Sequence, residues 1–138
     1  MKKREPVSHI MTKNVKALNV TDSLHEVMNL VKSEHVRHIP IVSGKKVVGI
    51  VTSNDLNRLT VGDLFDNQGG NDAFLDMLSI ERLMHANPVT ISDDTTIREV
   101  AEVFANSNFH ALPVVNAEDE LVGIVSTTDV LKYMLEQY

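Results

Sequence analysis

Cysteine and tryptophan are both absent from this sequence of 138 residues, and only 4% of the residues are aromatic. Without cysteine the chain can form no disulfide, no thiolate metal site and no cysteine nucleophile. The scarcity of aromatic rings argues against a surface on which the bases of single-stranded nucleic acid stack. The hydrophobic core must therefore be built from aliphatic side chains.

Positive charge is also scarce, because 13 Lys and Arg residues stand against 19 Asp and Glu residues and give a net charge of −6. Nucleic-acid binding relies on basic surfaces, so we expect no nucleic-acid partner. No apolar run approaches the roughly 18 residues of a membrane-spanning helix, and no apolar segment follows the basic N-terminal residues. We therefore expect a cytoplasmic protein with no membrane partner.

Two copies of one unit account for most of the sequence. When the chain is shifted by 73 residues, segment 11–43 lies over segment 84–116, and a shift of 74 aligns the following segments, including Asp55 with Asp129. The identities in the first overlap are Met11/Met84, Asn14/Asn87, Glu26/Glu99, Val27/Val100, Pro40/Pro113 and Val42/Val115. The chain is therefore an internal duplication.

Both copies have the same order of predicted elements. Ser23-x-x-Glu26 and Thr96-x-x-Glu99 are capping boxes that predict helix starts, and apolar residues follow them at i, i+3, i+4 and i+7. A short apolar stretch precedes each helix, two β-rich runs follow it, and a second helix begins near Thr52 or Ser126. The sequence predicts a first repeat with its N-terminal segment at 1–66, a linker or connecting helix at 67–79, and a second repeat at 80–138.

The predicted fold class is α/β (α+β), with two β-α-β-β-α repeats. A copy of about 50 residues buries too little surface to be stable alone, so we expect the two to pack about a pseudo-twofold axis as one compact module. Packing of this kind creates related clefts between the copies, where ligands tend to bind.

Three sequence elements occur in the same order in both copies. In the first copy they are Ile10-Met11-Thr12, His38-Ile39-Pro40-Ile41-Val42 and Gly49-Ile50-Val51-Thr52-Ser53-Asn54-Asp55, and in the second they are Leu83-Met84, Ala111-Leu112-Pro113-Val114-Val115 and Gly123-Ile124-Val125-Ser126-Thr127-Thr128-Asp129. With these elements the sequence resembles a tandem pair of cystathionine-β-synthase-like (CBS) domains.

This resemblance implies a stand-alone regulatory module that binds an adenosine-containing ligand between its two copies. Ligands of the family include AMP, ADP, ATP, S-adenosylmethionine, nicotinamide dinucleotides and cyclic di-adenylate. The resemblance also implies a homodimer that signals to a client protein, whose identity the sequence does not give. We expect no resident cofactor, although Mg²⁺ could accompany a bound ATP.

Thr52-x-x-Asp55 and Ser126-x-x-Asp129 are the motifs that we expect to bind this ligand. A hydroxyl and free N–H groups at a helix N-terminus suit a phosphate, so Thr52 and Ser126 are candidate phosphate ligands. Asp55 and Asp129, three residues later, are candidates to accept hydrogen bonds from the ribose hydroxyls. The alternative is that each pair serves only to cap its helix.

Further candidate site residues flank the strands. Arg37, His38 and His110 stand where the family often places residues that face a phosphate, with a solvated or partly buried structural position as the alternative. Ala111 aligns with His38, so we expect the two sites to differ in phosphate affinity. By the resemblance, the residues of the adenine pocket are Asn14, Val15, Ile39, Pro40, Pro88, Val89, Leu112 and Pro113, although core packing would also explain the apolar ones.

We expect neither a metal site nor an enzyme. His35-x-x-His38 lacks the further ligands that a metal requires, and no set of residues forms a recognisable catalytic centre. Two rival functions remain: an interaction or dimerisation module with vestigial clefts that binds no ligand, and a weak enzyme that acts on a nucleotide.

Overall fold

A computed structural model of the chain describes residues 4–57 and 79–138. The chain divides into two compact units, and only one of them is a continuous stretch of sequence. The first unit is Lys16–Asn87, and the second unit combines Met1–Val15 with Pro88–Tyr138. These units follow packing, whereas the predicted boundaries at 66, 79 and 80 follow the sequence repeats. Each unit therefore holds most of one repeat together with the opening segment of the other.

The first unit has a four-stranded sheet in the order β1-β2-β3-β4. Strand β1 pairs with β2 in parallel, and the other two pairings are antiparallel. Its elements are β1 (Leu18–Asn19), α1 (Leu24–Ser33), β2 (His38–Ser43), β3 (Lys46–Thr52), a helix α2 described over 53–57, α3 (Ile80–Leu83) and β4 (His85–Ala86).

The second unit has a three-stranded sheet in the order β5-β6-β7, again with one parallel and one antiparallel pairing. Its elements are a 3₁₀ turn (Val7–His9), β5 (Ile91–Ser92), α4 (Ile97–Ala105), β6 (Ala111–Val115), β7 (Leu121–Ser126) and α5 (Thr127–Glu136). The two units thus repeat one mixed α/β arrangement, which confirms the predicted fold class.

Each unit has its own aliphatic core, as the scarcity of aromatic residues predicted. The buried core residues of the first unit are Leu24, Val27, Leu30, Ile39, Ile41, Val51, Leu56 and Ile80. Those of the second unit are Val7, Ile91, Val100, Leu112, Val114, Val125 and Val130. The helical spacing predicted for α1 and α4 is confirmed, because Leu24, Val27, Ile97 and Val100 are all buried.

The opening segments of the two repeats are exchanged between the units. Val7 opens the first repeat but is fully buried in the core of the second unit, and its N–H donates to the Thr95 carbonyl over 2.7 Å. Ile80 aligns with Val7 in the duplication and is fully buried in the core of the first unit. Each core is therefore completed by a side chain from the other repeat.

Glycine allows these exchanged segments to approach the sheets closely. A Cβ atom added at Gly49 on β3 would overlap the Met84 side chain, lying 2.8 Å from its Cγ. A Cβ atom at Gly123 on β7 would meet Met11 in the same way, 2.9 Å from its Cγ. The duplicated methionine and glycine therefore form two contact pairs, each joining the opening segment of one repeat to the sheet of the other.

The predicted helix starts after Ser23 and Thr96 are confirmed, but the predicted capping boxes do not form as expected. The Ser23 side chain makes no cap hydrogen bond, although α1 begins directly after it. Thr96 accepts from the Glu99 N–H, but its hydroxyl, rather than its backbone N–H, contacts the Glu99 carboxylate. The predicted linker at 67–79 lies outside the described residues except for Ser79.

Candidate functional site

The candidate site of the first unit lies where the β2–β3 hairpin leads into helix α2. His38 on β2 pairs with Thr52 at the end of β3. The N–H of Ser53, the first residue of α2, donates to the Arg37 carbonyl over 2.9 Å. The predicted phosphate residues Arg37, His38 and Thr52 are thus brought to one end of the hairpin, with Arg37 exposed and His38 half-buried.

Asp55 stands in the first turn of α2, and its carboxylate accepts hydrogen bonds at both oxygens. Its Oδ2 accepts from the Thr52 N–H at 2.8 Å and from the Thr52 hydroxyl at 3.1 Å. Its Oδ1 lies 3.1 Å from Nε2 of His85 on β4. The Asp55 side chain is only 1% exposed, whereas that of His85 is 60% exposed. The imidazole therefore covers the carboxylate from the solvent side.

These contacts keep the Asp55 carboxyl ionised. Burial by itself raises the pKa of this group, but the Thr52 N–H, the His85 ring and the Thr52 hydroxyl favour the charged form and hold the pKa of Asp55 below its ordinary value. Because an ionised carboxylate can only accept, the hydrogen bond requires that His85 carry its proton on Nε2.

Sequence reasoning did not find His85. It stands 30 residues from Asp55, on a two-residue strand with no periodicity to mark it. The duplication contained one signal that the two sites differ. The repeated methionines Met11 and Met84 are followed by different residues, Thr12 in the first copy and His85 in the second.

The second unit repeats the hairpin–helix junction without this imidazole. Ser126 and Asp129 form a capping box: the Asp129 N–H donates to Ser126 Oγ at 3.1 Å, and the Ser126 N–H donates to Asp129 Oδ2 at 2.9 Å. The Thr127 N–H donates to the carbonyl of His110, whose side chain is exposed. Capping is therefore one role of this pair, and the ligand role remains a prediction.

The residues predicted for the adenine pocket divide into two groups. Ile39 and Leu112 are core residues of the first and second unit, and Pro40 and Pro113, which follow them, are also buried. The others lie in the second unit with less burial: Asn14 and Val89 are exposed, and Val15 and Pro88 are half-buried. Packing explains the first group, whereas the second has surface that a ligand could contact.

The described residues bear on the predictions about metals and membranes. Within residues 4–57 and 79–138, no group of three or more His, Asp or Glu side chains could hold a metal ion. Over the same residues, no helix combines the length and the apolar character needed to cross a bilayer. The cytoplasmic location stays a prediction.

Comparison with known proteins agrees with the repeats and their geometry. The family model of the CBS domain matches residues 7–62 and again residues 80–136. The chain therefore belongs to the CBS domain family and contains a tandem pair of its domains.

Three relatives show the range of this similarity. Protein MJ1225 of Methanocaldococcus jannaschii is 29% identical over 94% of this chain, and its crystal structure matches with a TM-score of 0.81 over 97% of this chain and 49% of the other. A CBS domain-containing protein of Dictyostelium discoideum is 26% identical over 94% of this chain and 91% of its own length. The CBS domain pair of protein MJ0100 is 25% identical, with a TM-score of 0.75, over 94% of this chain and 98% of the other. That pair was crystallised with 5′-methylthioadenosine and S-adenosyl-L-methionine.

Some relatives are much longer than this chain. It spans 47% of MJ1225 and 22% of an inosine-5′-monophosphate dehydrogenase of Korarchaeum cryptofilum, with which it is 27% identical over 118 residues.

Proposed function

We propose that this chain is a regulatory module that binds an adenosine-containing small molecule and transmits its occupancy to a partner protein. The main support is the duplicated junction, at which a strand ends in a hydroxyl and the following helix places a carboxylate in its first turn. The MJ0100 pair, similar in fold and 25% identical, binds two adenosine derivatives. The proposal includes no catalysed reaction.

The residues divide by chemistry in this proposal. Asp55 and Asp129 are the ribose acceptors, and Thr52 and Ser126 stand at the helix N-termini, where the helix dipole favours the negative charge of a 5′ phosphate. Arg37 adds a planar donor group that suits phosphate oxygens. The second unit has no arginine at that position, since His110 aligns with Arg37. We therefore propose that the first unit favours the more highly charged ligand, with Mg²⁺ accompanying a polyphosphate.

Signalling would follow from a shift between conformations. A ligand changes such an equilibrium only through its different affinities for the two states. The relevant ligand is thus the one whose binding changes the affinity of the client, and tight binding alone does not identify it.

A thermal-shift panel tests the ligand. AMP, ADP, ATP with and without Mg²⁺, S-adenosylmethionine, 5′-methylthioadenosine, NADH and cyclic di-adenylate are compared on the purified chain. A ligand at 100 times its Kd should stabilise the protein by about 2.7 kcal/mol, a rise of several degrees. The rise should be lost in Asp55→Ala or in Asp129→Ala, according to the site that the ligand fills, and retained in Asp119→Ala, a control change at an exposed turn. If no ligand shifts the melting temperature, the sensing function is wrong.

One observation favours a second candidate function, dimerisation independent of ligand. Helix α5 and the residues after it expose an apolar stripe at helical spacing, formed by Leu131, Met134, Leu135 and Tyr138, with Leu135 71% exposed. Large apolar side chains grouped on a surface often mark an interaction site. We propose that a second copy of this chain covers the stripe as a homodimer.

Light scattering during size-exclusion chromatography tests the dimer. Leu135→Glu should halve the measured mass, whereas Lys132→Glu, on the same helix but outside the stripe, should leave it unchanged. A monomeric wild-type chain would refute the homodimer. A dimer that binds none of the panel ligands would favour the interaction module over the sensor.

A further inference from the structure

The two ribose carboxylates are not equally available. Asp55 Oδ1 is covered by the His85 imidazole, and its Oδ2 already accepts two hydrogen bonds from Thr52. Asp129 is half-buried, and its Oδ1 accepts no hydrogen bond from any residue within 4–57 or 79–138. A ribose hydroxyl can therefore reach Asp129 directly, but it must displace His85 to reach Asp55.

The neighbouring hydroxyls differ in the same direction. The Thr52 hydroxyl donates its proton to Asp55, so it has no proton left to give to a ligand. The Ser126 Oγ accepts from the Asp129 N–H, and within the described part of the chain its own proton is donated to no acceptor. Two independent polar groups are thus engaged in the first unit and available in the second.

His85 produces this difference. His85 in the first unit and Thr12 in the second hold equivalent places in the backbone pairing of the two sheets. His85 pairs with Ile50 of β3 in antiparallel fashion. Thr12 pairs with Ile124 of β7, also antiparallel, and the two residues exchange hydrogen bonds of 2.8 and 3.0 Å. The two positions align in the duplication, and Thr12 is exposed. A histidine at position 12 would therefore stand beside Asp129 as His85 stands beside Asp55.

We infer that His85 hinders the access of ribose to Asp55, so that the wild-type chain binds phosphate-free adenosine derivatives first and most tightly at Asp129. This inference rests on the proposed function and adds to it the order in which the two sites fill. His85 acts here as a positioning residue on the Asp55 carboxylate, and exchanging it with Thr12 should exchange the two affinities.

Isothermal titration calorimetry with 5′-methylthioadenosine tests the inference, because this probe has both ribose hydroxyls and no phosphate. The wild type should bind one molecule per chain tightly, and Asp129→Ala should weaken that binding about tenfold to a hundredfold, the effect of losing a charge-assisted hydrogen bond. Asp119→Ala, at an exposed turn outside both junctions, should leave this affinity unchanged. The 2′-deoxy form of the probe reports whether the diol is the group recognised.

The exchange of residues provides the sharpest comparison. His85→Thr should create a second tight site that Asp55→Ala removes again, and Thr12→His should abolish the original one. The double variant should bind one molecule per chain in a manner that depends on Asp55. Both side chains are exposed, and circular dichroism checks that each variant is folded.

The outcomes separate this inference from the proposed function. If the wild type binds two molecules with equal affinity, or if His85→Thr leaves the stoichiometry and the Asp55 dependence unchanged, the role assigned to His85 is wrong while nucleotide sensing stands. If no variant binds this probe or any ligand of the thermal-shift panel, the proposed function fails and the inference fails with it.

Discussion

The contact between Gly49 and Met84 makes a specific prediction about stability. Gly49→Ala would place a Cβ atom 2.8 Å from Cγ and 3.1 Å from Cβ of Met84, whereas carbon atoms pack best at about 3.5–4.0 Å. The added Cβ also overlaps the Met84 Sδ, so the methionine must turn its side chain away from β3, and overpacking of this kind costs about 1–3 kcal/mol. We therefore expect Gly49→Ala to lower the free energy of unfolding by that amount and the melting temperature by about 3–9 °C.

A double-mutant cycle identifies the cause. Met84→Ala removes the Cγ and Sδ atoms that clash and leaves only the Cβ at 3.1 Å, so Gly49→Ala should cost at least about 1 kcal/mol less in that background. Met11→Ala should give no such relief, since Met11 contacts Gly123. Gly44→Ala is a matched control: its φ of +65° makes alanine unfavourable, but no atom lies within 4 Å of the added Cβ. Its cost should not depend on either methionine.

Urea denaturation followed by circular dichroism measures each free energy. Additive effects of Gly49→Ala and Met84→Ala would refute the contact. Relief by Met11→Ala in place of Met84→Ala would refute the exchange of opening segments between the two units.

Three further predictions concern other positions. His35 follows α1 with a φ of 58°, so His35→Gly should stabilise the protein by about 0.5–1 kcal/mol and His35→Ala should not, as urea titration of both variants will show. The Tyr133 hydroxyl donates to the Glu5 carboxylate over 2.8 Å from a buried position, so Tyr133→Phe should cost about 1 kcal/mol in the same assay, and an unchanged midpoint would exclude a stabilising bond. The pKa of Asp55 is lower in the folded chain than in the unfolded one, so its contribution to stability is full above the ordinary carboxyl pKa of about 4 and is lost as the pH falls through the folded value. The difference in unfolding free energy between wild type and Asp55→Asn should therefore shrink in acid, and a difference that grows below about pH 4 would contradict the assignment.

Local patterns in the sequence predicted the repeated framework closely. The two β-rich runs predicted after the first helix of each repeat are strands in the structure, among them β2 (His38–Ser43) and β7 (Leu121–Ser126). The spacing of apolar residues indicates which face of a strand or helix is buried. These strands and helices each bury one face, so their positions could be predicted from the sequence. The helix starts at Ser23 and Thr96 were also correct, although Ser23 makes no side-chain cap.

Long-range pairing could not be predicted in the same way. The duplication shows that Met11 and Met84 are equivalent, but it does not show which glycine each one contacts, because both assignments satisfy the same pattern. The contact of His85 with Asp55 depends on β4, a strand of two residues without a periodic signal. Contacts of this kind are set by how segments distant in sequence are brought together.

The exchanged opening segments have a consequence for the order in which the protein is completed during synthesis. Val7 bonds to Thr95, 88 residues further along the chain. At about 5–20 residues per second, the ribosome needs roughly 4–18 s to supply that partner, and Val7 and Met11 have no sheet to cover them in the meantime. The first unit can assemble once β4 has emerged from the ribosome. In the second unit, the segment that carries Val7 is synthesised first but cannot pack until strands β5–β7 have been made. The segment that carries Val7 and Met11 therefore stays accessible to chaperones and proteases for longer than segments whose partners lie close in sequence.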